Sequence, residues 1–139
     1  MSKTAVIYWS GTGNTEAMAK AVAKGAGLGA QLFAVSDFDA SMVDGFDAFA
    51  MGCPAMGSEA LEDSEFEPLF EEIKTKLAGK KVGLFGSYGW GDGEWMRTWE
   101  ERCSAAGAVL ACDSVICCEA PDDEASAACR ALDAALANA

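Results

Sequence analysis

The sequence contains no histidine, and its six cysteines include no CxxC pair. Zinc and iron–sulfur sites of small proteins use closely spaced thiolates and imidazoles, and the step from Cys112 to Cys117 fits neither kind of site. We therefore expect no metal site. Because 139 residues can bury a core without covalent staples, the cysteines predict reduced thiols in a cytoplasmic protein rather than a disulfide framework.

Basic residues and long apolar runs are also scarce. Lys and Arg total 10 against 22 for Asp and Glu, which gives a net charge of −12. This charge opposes binding to nucleic acid or to anionic membranes, and it favours partner proteins that carry basic patches. No apolar run reaches the roughly 18 residues of a membrane span, and the run near the N-terminus is too short for a signal sequence. We expect neither nucleic acid nor membrane binding.

Low-complexity tracts, linkers and repeats are likewise missing, so the sequence predicts a single domain over residues 1–139. What is present is an alternation of short apolar runs with helical patterns. Consecutive apolar positions predict five buried strands, at residues 4–9, 30–35, 46–52, 81–87 and 109–118. Strands that alternate with helices predict an α/β fold with a parallel sheet, helices on both faces and a ligand site beyond the strand ends.

Helical patterns lie between the predicted strands. The first covers residues 14–24, the segment 37–44 fits either a short helix or a loop, and Ser64 with Glu67 forms a capping box before a strongly amphipathic helix. Acids that follow Pro121 suit the start of the last helix. The apolar faces of the three later helices comprise Phe66, Leu69, Phe70, Ile73 and Leu77, then Trp95, Met96, Trp99 and Cys103, then Ala125, Ala128, Cys129, Leu132 and Leu136.

The most informative segment joins the first strand to the first helix. Its residues are Ser10, Gly11, Thr12, Gly13, Asn14 and Thr15. Two glycines let backbone N–H groups converge at a helix start, and the hydroxyl and amide side chains add donors, which together suit one phosphate. The loop lacks the lysine of a Walker loop, and Glu16 stands at the third glycine position of the dinucleotide fingerprint. The alternative is an ordinary strand-to-helix turn.

Two further loops follow the third and fourth strands, at the same edge of the predicted sheet. Each combines glycine backbone with one large polarisable side chain, Met56 in the first loop and Trp90 in the second. These side chains are able to sandwich a flat ring, although a lone Met is usually core and a lone Trp is often a packing or interface residue. A phosphate at one end and a planar ring at the other describe FMN.

These segments resemble the flavodoxins, specifically the short-chain type of anaerobic bacteria, over nearly the whole chain. Flavodoxins are the type example of strand order 2-1-3-4-5 with FMN at the switch point, so the resemblance implies a three-layer α/β/α sandwich with a five-stranded parallel sheet in that order. It also implies that residues 10–15 hold the phosphate, that Met56 and Trp90 flank the flavin, and that Glu59 accepts a hydrogen bond from flavin N3. The remaining implied contacts are Ala55, Gly57, Ser58, Ser87, Tyr88, Gly89, Gly91, Cys118 and Glu119.

The resemblance further implies a function. Similar proteins are low-potential one-electron carriers that serve redox enzymes, and their noncovalently bound FMN alternates between the semiquinone and the hydroquinone. The resemblance also implies that the peptide after Gly57 turns its carbonyl towards flavin N5. We expect a monomer without catalytic residues that makes transient contacts with redox partners, steered by the acids Glu59, Glu62, Asp63, Glu65 and Glu67. The alternative with the same fold is an NAD(P)H-dependent FMN reductase, although the sequence shows no obvious basic site for a nicotinamide phosphate.

Overall fold

The computed structural model describes residues 4–9, 13–26, 30–55, 61–62, 64–88, 93–111, 114–118 and 122–137. The strands are β1 Thr4–Tyr8, β2 Ala30–Ala34, β3 Ala48–Gly52, β4 Lys81–Tyr88, β5 Val109–Leu110 and β6 Val115–Cys118. The helices are α1 Asn14–Ala26, α2 Phe66–Ile73, α3 Glu94–Ala105 and α4 Asp123–Ala137. Among the described residues, no helix is both long enough and apolar enough to cross a bilayer.

The sheet is parallel at every pairing, in the order β2-β1-β3-β4-β5, with β6 also paired to β4. This confirms the predicted order 2-1-3-4-5. The register places Tyr8 beside Gly52 and Gly52 beside Phe85, so the carboxyl ends of the three central strands meet at one edge. Loops that follow these strands therefore begin side by side, as parallel sheets require.

The fifth strand position differs from the prediction of one continuous strand at residues 109–118. Two short strands occupy it: β5 pairs with the start of β4, and β6 pairs with the end of β4. Between them the Ser114 hydroxyl donates a hydrogen bond of 2.7 Å to the Glu100 carboxylate of α3. This polar contact holds Ser114, directly before β6, against α3.

Two apolar layers cover the sheet because successive strand side chains point to opposite faces. On one face Ile7, Phe49 and Leu84 pack with α2 and α3, and on the other Val6, Ala50 and Phe85 pack with α1 and α4. The expected three-layer sandwich is therefore confirmed. The segment that sequence left open, 37–44, falls within and between two short 3-10 helices, Val35–Asp37 and Ala40–Gly45.

The starts of α2 and α4 give different outcomes for the predicted caps. Asp122 accepts a hydrogen bond of 2.8 Å from the Ala125 N–H, as an acid before α4 should. At α2 the predicted Ser64–Glu67 capping box is wrong, because Glu65 occupies the N-cap and makes no side-chain cap bond. Glu62 supplies the acceptor instead, and Glu67 is paired with Arg102.

Candidate functional site

The predicted site lies where the parallel strands end. Of its residues, Gly13, Asn14, Thr15, Ala55, Ser87, Tyr88 and the backbone of Cys118 belong to the part of the chain that the structure describes. The other predicted contacts lie outside the described residues: Ser10, Gly11, Thr12, Met56, Gly57, Ser58, Glu59, Gly89, Trp90, Gly91 and Glu119. The described residues therefore define the frame from which the predicted binding loops extend.

Helix α1 begins at Asn14, within the predicted loop of residues 10–15. Gly13 has φ +96°, a left-handed conformation that favours glycine, and a Cβ there would meet nothing within 4 Å. The glycine is thus required for its backbone angle and not for space. The Gly13 carbonyl accepts a hydrogen bond of 3.0 Å from the Ala17 N–H. Backbone N–H groups at such a helix start lack partners within the helix and carry partial positive charge, which suits an anion.

Two buried hydroxyl groups join the first loop to the end of β4. Thr15 is 1% exposed, Ser87 is 4% exposed, and their hydroxyl oxygens lie 3.4 Å apart. Both side chains are buried polar groups, and their contact positions α1 against β4. Hydroxyl groups are donors as well as acceptors, which makes them compatible with a phosphate or with ring heteroatoms.

The loop after β3, which we call the β3 loop (residues 53–62), continues the sheet for a short distance. The Cys53 N–H donates to the Phe85 carbonyl over 3.2 Å, and the Ala55 N–H donates to the Ser87 carbonyl over 3.1 Å. The indole N–H of Trp95 in α3 donates to the Cys53 carbonyl over 3.0 Å. The first residues of the loop are thereby held between β4 and α3.

Glycines permit this close approach. A Cβ on Gly86 would lie 2.3 Å from the Cys53 carbonyl oxygen, and one on Gly52 would lie 2.1 Å from the Phe85 ring. Both distances are far below van der Waals contact. A larger residue at position 86 would therefore push the start of the β3 loop away from β4, and one at position 52 would displace the Phe85 ring.

The far end of the β3 loop returns to its start through Glu62. The Glu62 N–H donates to the Cys53 sulfur over 3.3 Å. The Glu62 carboxylate, on a residue only 4% exposed, accepts from the N–H groups of Ser64, Glu65 and Phe66 at 2.7 to 2.9 Å, and also from the Ser64 hydroxyl. Although burial alone would raise the pKa of Glu62, these hydrogen bonds outweigh it and lower the pKa.

Contacts between aromatic side chains and acids flank the first loop. The Trp9 indole N–H donates to the Glu65 carboxylate over 3.1 Å, which ties the end of β1 to the start of α2. On the other face Tyr8 is hydrogen-bonded to Glu16, and burial, followed by the charge of Glu16, raises the Tyr8 pKa. The Trp9 contact fixes the chain before residues 10–12, and the Tyr8–Glu16 contact joins the chain before them to the chain after them.

The described frame fits FMN. A phosphate needs converging N–H and hydroxyl donors, and α1 supplies its N-terminus together with the buried Thr15 hydroxyl. A flat ring needs an edge of the sheet where backbone is accessible, and the Ala55–Ser87 hydrogen bond brings the second and third predicted loops to such an edge. The ring centroids of Tyr88 and Trp95 lie 5.7 Å apart, and this contact supports the end of β4.

The described cysteines are buried or half-buried thiols. Burial raises the pKa of Cys53, Cys103 and Cys129 to about 12. These thiols are therefore protonated at neutral pH and poor nucleophiles. Within the described ranges no group of three or more histidine, cysteine or acidic side chains is placed to hold a metal ion.

Sequence reasoning missed three residues that shape the site, namely Cys53, Glu62 and Trp95. It assigned Trp95 to the helix core, assigned Glu62 to an exposed acidic run, and gave Cys53 no role. The contacts among them span 9 and 42 residues along the chain, so no local pattern signals them. An acid shortly before an amphipathic helix was the one available sign of the Glu62 cap.

Comparisons with known proteins agree with this geometry. The family model described as Flavodoxin matches residues 6–131. A flavodoxin from Clostridium beijerinckii is 49% identical over 136 residues, covering 96% of this chain and 98% of that protein. A flavodoxin from Megasphaera elsdenii is 47% identical over 137 residues, covering 96% and 98%. The solution structure of two-electron reduced Megasphaera elsdenii flavodoxin superposes with a TM-score of 0.89 at 46% identity, covering 98% of this chain and 99% of that one.

Proposed function

The chain belongs to the flavodoxin family and is an FMN-binding electron carrier, and from this premise we propose that it works as a single-domain, low-potential, one-electron carrier rather than as an enzyme. When bound, FMN supplies a ring that takes up and releases electrons one at a time. The protein's own contribution is to hold that ring, to set the charge around it and to present it to partners. The observation that carries the proposal is the contact between the Thr15 hydroxyl, at the start of α1, and the Ser87 hydroxyl near the end of β4.

We assign the phosphate end of the site to residues 10–15. The support is the left-handed Gly13, the free N–H groups expected at the α1 start, and the buried Thr15 hydroxyl. The ring end belongs to residues 55–59, 87–91 and 118–119, of which Ala55 and Ser87 are joined by a backbone hydrogen bond. The predicted contacts thus extend from two neighbouring strand ends.

The low potential follows from charge. The proposed binding loops, residues 10–15, 55–59, 87–91 and 118–119, contain no Lys or Arg, and the whole chain carries −12. A nearby negative charge raises the free energy of adding another electron, and the bound phosphate adds to this effect. We therefore expect the second electron to enter at a markedly more negative potential than the first.

Partners are proposed to be redox proteins with basic patches, met transiently by a monomer in the cytoplasm. The structure changes the expected steering surface, because Glu62 is buried in a helix cap and Glu67 is paired with Arg102. Glu65 remains exposed among the described members of that acidic run, although it accepts a hydrogen bond from Trp9. Electron-transfer rates that fall as salt is raised would support charge steering, and salt-independent rates would oppose it.

The test of the assigned site compares FMN with riboflavin, which lacks the phosphate. Apoprotein should quench FMN fluorescence with one equivalent bound, and it should bind riboflavin at least tenfold more weakly, because the phosphate contacts are charge-assisted. Equal affinities would remove the phosphate role from residues 10–15. NADH and NADPH oxidation assays on the FMN-loaded protein test the carrier role, since rapid turnover would indicate a reductase instead.

A further inference from the structure

Cys53 is the point at which both ends of the β3 loop meet. Its N–H donates to the Phe85 carbonyl, its carbonyl accepts from the Trp95 indole, and its sulfur accepts from the Glu62 N–H. The Cys53 thiol donates a hydrogen bond to the Pro54 carbonyl, with 3.6 Å between sulfur and oxygen. One fully buried residue therefore anchors β4, α3 and the far end of its own loop.

We propose that Cys53 and Trp95 form a clasp that positions the β3 loop, and that this clasp sets the affinity for FMN and the two one-electron potentials. The inference rests on the proposed function, because it takes residues 55–59 of this loop as the ring-binding segment. Neither residue touches the cofactor in the proposal. Both act through the loop backbone, so they are positioning residues.

The Trp95 contact is specific to its indole N–H. Trp95 is 1% exposed, and its ring also packs against Gly86, where a Cβ would lie 3.1 Å from the indole and 2.3 Å from the Cys53 carbonyl oxygen. The absent side chain at Gly86 lets carbonyl and indole meet at 3.0 Å. A buried carbonyl that loses its donor is left unsatisfied, so the start of the loop depends on this bond.

The Cys53 sulfur closes the loop from the other side. Because burial raises its pKa to about 12, the thiol is neutral at pH 7 and able to donate to Pro54 while accepting from Glu62. The Glu62 carboxylate is at the same time fixed by the first turn of α2. Cys53 and Glu62 stand 9 residues apart in sequence, so their contact joins the two ends of the β3 loop.

The chain offers a matched control for each half of the clasp. Trp99 is also 1% exposed on α3, but its indole N–H has no hydrogen-bond partner among the described residues. Cys103 is likewise a fully buried thiol whose pKa burial raises to about 12, and it lies on α3 rather than in the β3 loop. Trp95→Phe is therefore compared with Trp99→Phe, and Cys53→Ala with Cys103→Ala.

The experiment measures loop protection, FMN affinity and potentials on all four variants. Amide hydrogen exchange at Glu62 is followed in the apoprotein and in the FMN-loaded protein, and FMN dissociation constants and both one-electron potentials are measured by titration. For Trp95→Phe and Cys53→Ala we expect exchange at Glu62 to accelerate by about tenfold or more and FMN binding to weaken by about tenfold, which corresponds to the loss of one buried hydrogen bond. The two potentials should shift relative to the wild type.

The control variants should lose comparable global stability while they keep wild-type exchange at Glu62, FMN affinity and potentials. If both clasp variants match their controls in these readouts while the wild type binds FMN, the inference is overturned and the proposed function stands. If the wild type itself fails to bind FMN, the proposed function has failed. Should one clasp variant not fold, the other decides the outcome, because each removes a different contact of Cys53.

Discussion

The hydroxyl oxygens of Thr15 and Ser87 lie 3.4 Å apart in the core, although 72 residues separate them in sequence. The contact brings the start of α1 and the end of β4 together, so the proposed phosphate loop and a ring loop share one frame. Thr15→Val keeps the shape of the side chain and removes its hydroxyl. We expect this variant to bind FMN about tenfold more weakly, since a buried hydrogen-bonding group in the proposed phosphate loop is lost.

The matched control is Thr4→Val at the start of β1. Thr4 is fully buried, and its hydroxyl has no partner among the described residues. Its replacement should leave FMN affinity unchanged and should not lower the free energy of unfolding, because an unpaired buried polar group is removed. Fluorescence titration and urea unfolding measure both variants, and wild-type FMN affinity in Thr15→Val would argue against its place in the site.

Arg102 joins α3 to α2 by a bidentate pair with Glu67, at 2.8 and 2.5 Å, and its guanidinium stacks 4.7 Å from the centre of the Phe70 ring. Arg102→Lys keeps the charge but loses the planar fork that makes both contacts. We expect it to lower the free energy of unfolding by about 1 kcal/mol at low salt, at the upper end for partly exposed pairs. Lys20→Gln, which breaks the exposed pair with Glu16 and keeps the Glu16–Tyr8 contact, should change it by less than about 0.5 kcal/mol.

Glu62 predicts a specific response to acid. Its pKa is lower in the folded protein than in the unfolded chain, so the stability that its carboxylate contributes is present above the unfolded value of 4.5 and is lost as the pH falls through the folded value. Glu62→Gln should destabilise the protein by about 1 kcal/mol at pH 7 and flatten the loss of stability below pH 4.5. Urea unfolding across this range measures both effects.

Glu72→Gln is the control for that experiment. Glu72 is exposed near the end of α2, the helix whose first turn Glu62 caps. Its replacement should leave the wild-type dependence of stability on pH in place. An acid limb that is equally steep in wild type and Glu62→Gln would show that the helix cap does not titrate as described.

Gly57→Thr tests the proposed movement of the peptide after Gly57. A β-branched side chain disfavours positive φ, so a peptide rotation that needs such an angle becomes more difficult by about 1 kcal/mol or more. We expect the first one-electron potential to become more negative while global stability changes little. An unchanged first potential would remove Gly57 from the set of residues that tune the flavin. Gly57→Ala should give a smaller shift in the same direction.

Much of this architecture can be predicted from the sequence because the spacing of apolar residues differs between strands and helices. Consecutive apolar residues such as Phe49 and Ala50 mark a strand buried on both faces, and the spacing of Trp95 and Trp99 marks a helix face. The strand order is not local and came from family resemblance. The division of the fifth strand position into β5 and β6 was not predicted, because the apolar pattern runs through both strands and does not show which part of β4 each one pairs with.

The candidate site shows the same division. Glycine and hydroxyl residues after β1 signal a phosphate loop, since that chemistry resides in consecutive residues. The roles of Cys53, Glu62 and Trp95 were not predicted because their contacts join residues 9 and 42 positions apart in sequence. The local pattern of Ser64 and Glu67 predicts a capping box, but the buried Glu62 carboxylate accepts the hydrogen bonds of the Glu65 and Phe66 N–H groups instead.

The most direct test of the one-electron carrier is an anaerobic reductive titration of the purified FMN-loaded protein, followed by visible absorbance and referenced to dyes of known potential. The account predicts a yellow protein that is reduced in two separate one-electron steps, the second at the more negative potential. A single two-electron step would contradict the one-electron role. A protein that stays colourless after FMN is added would contradict the account as a whole.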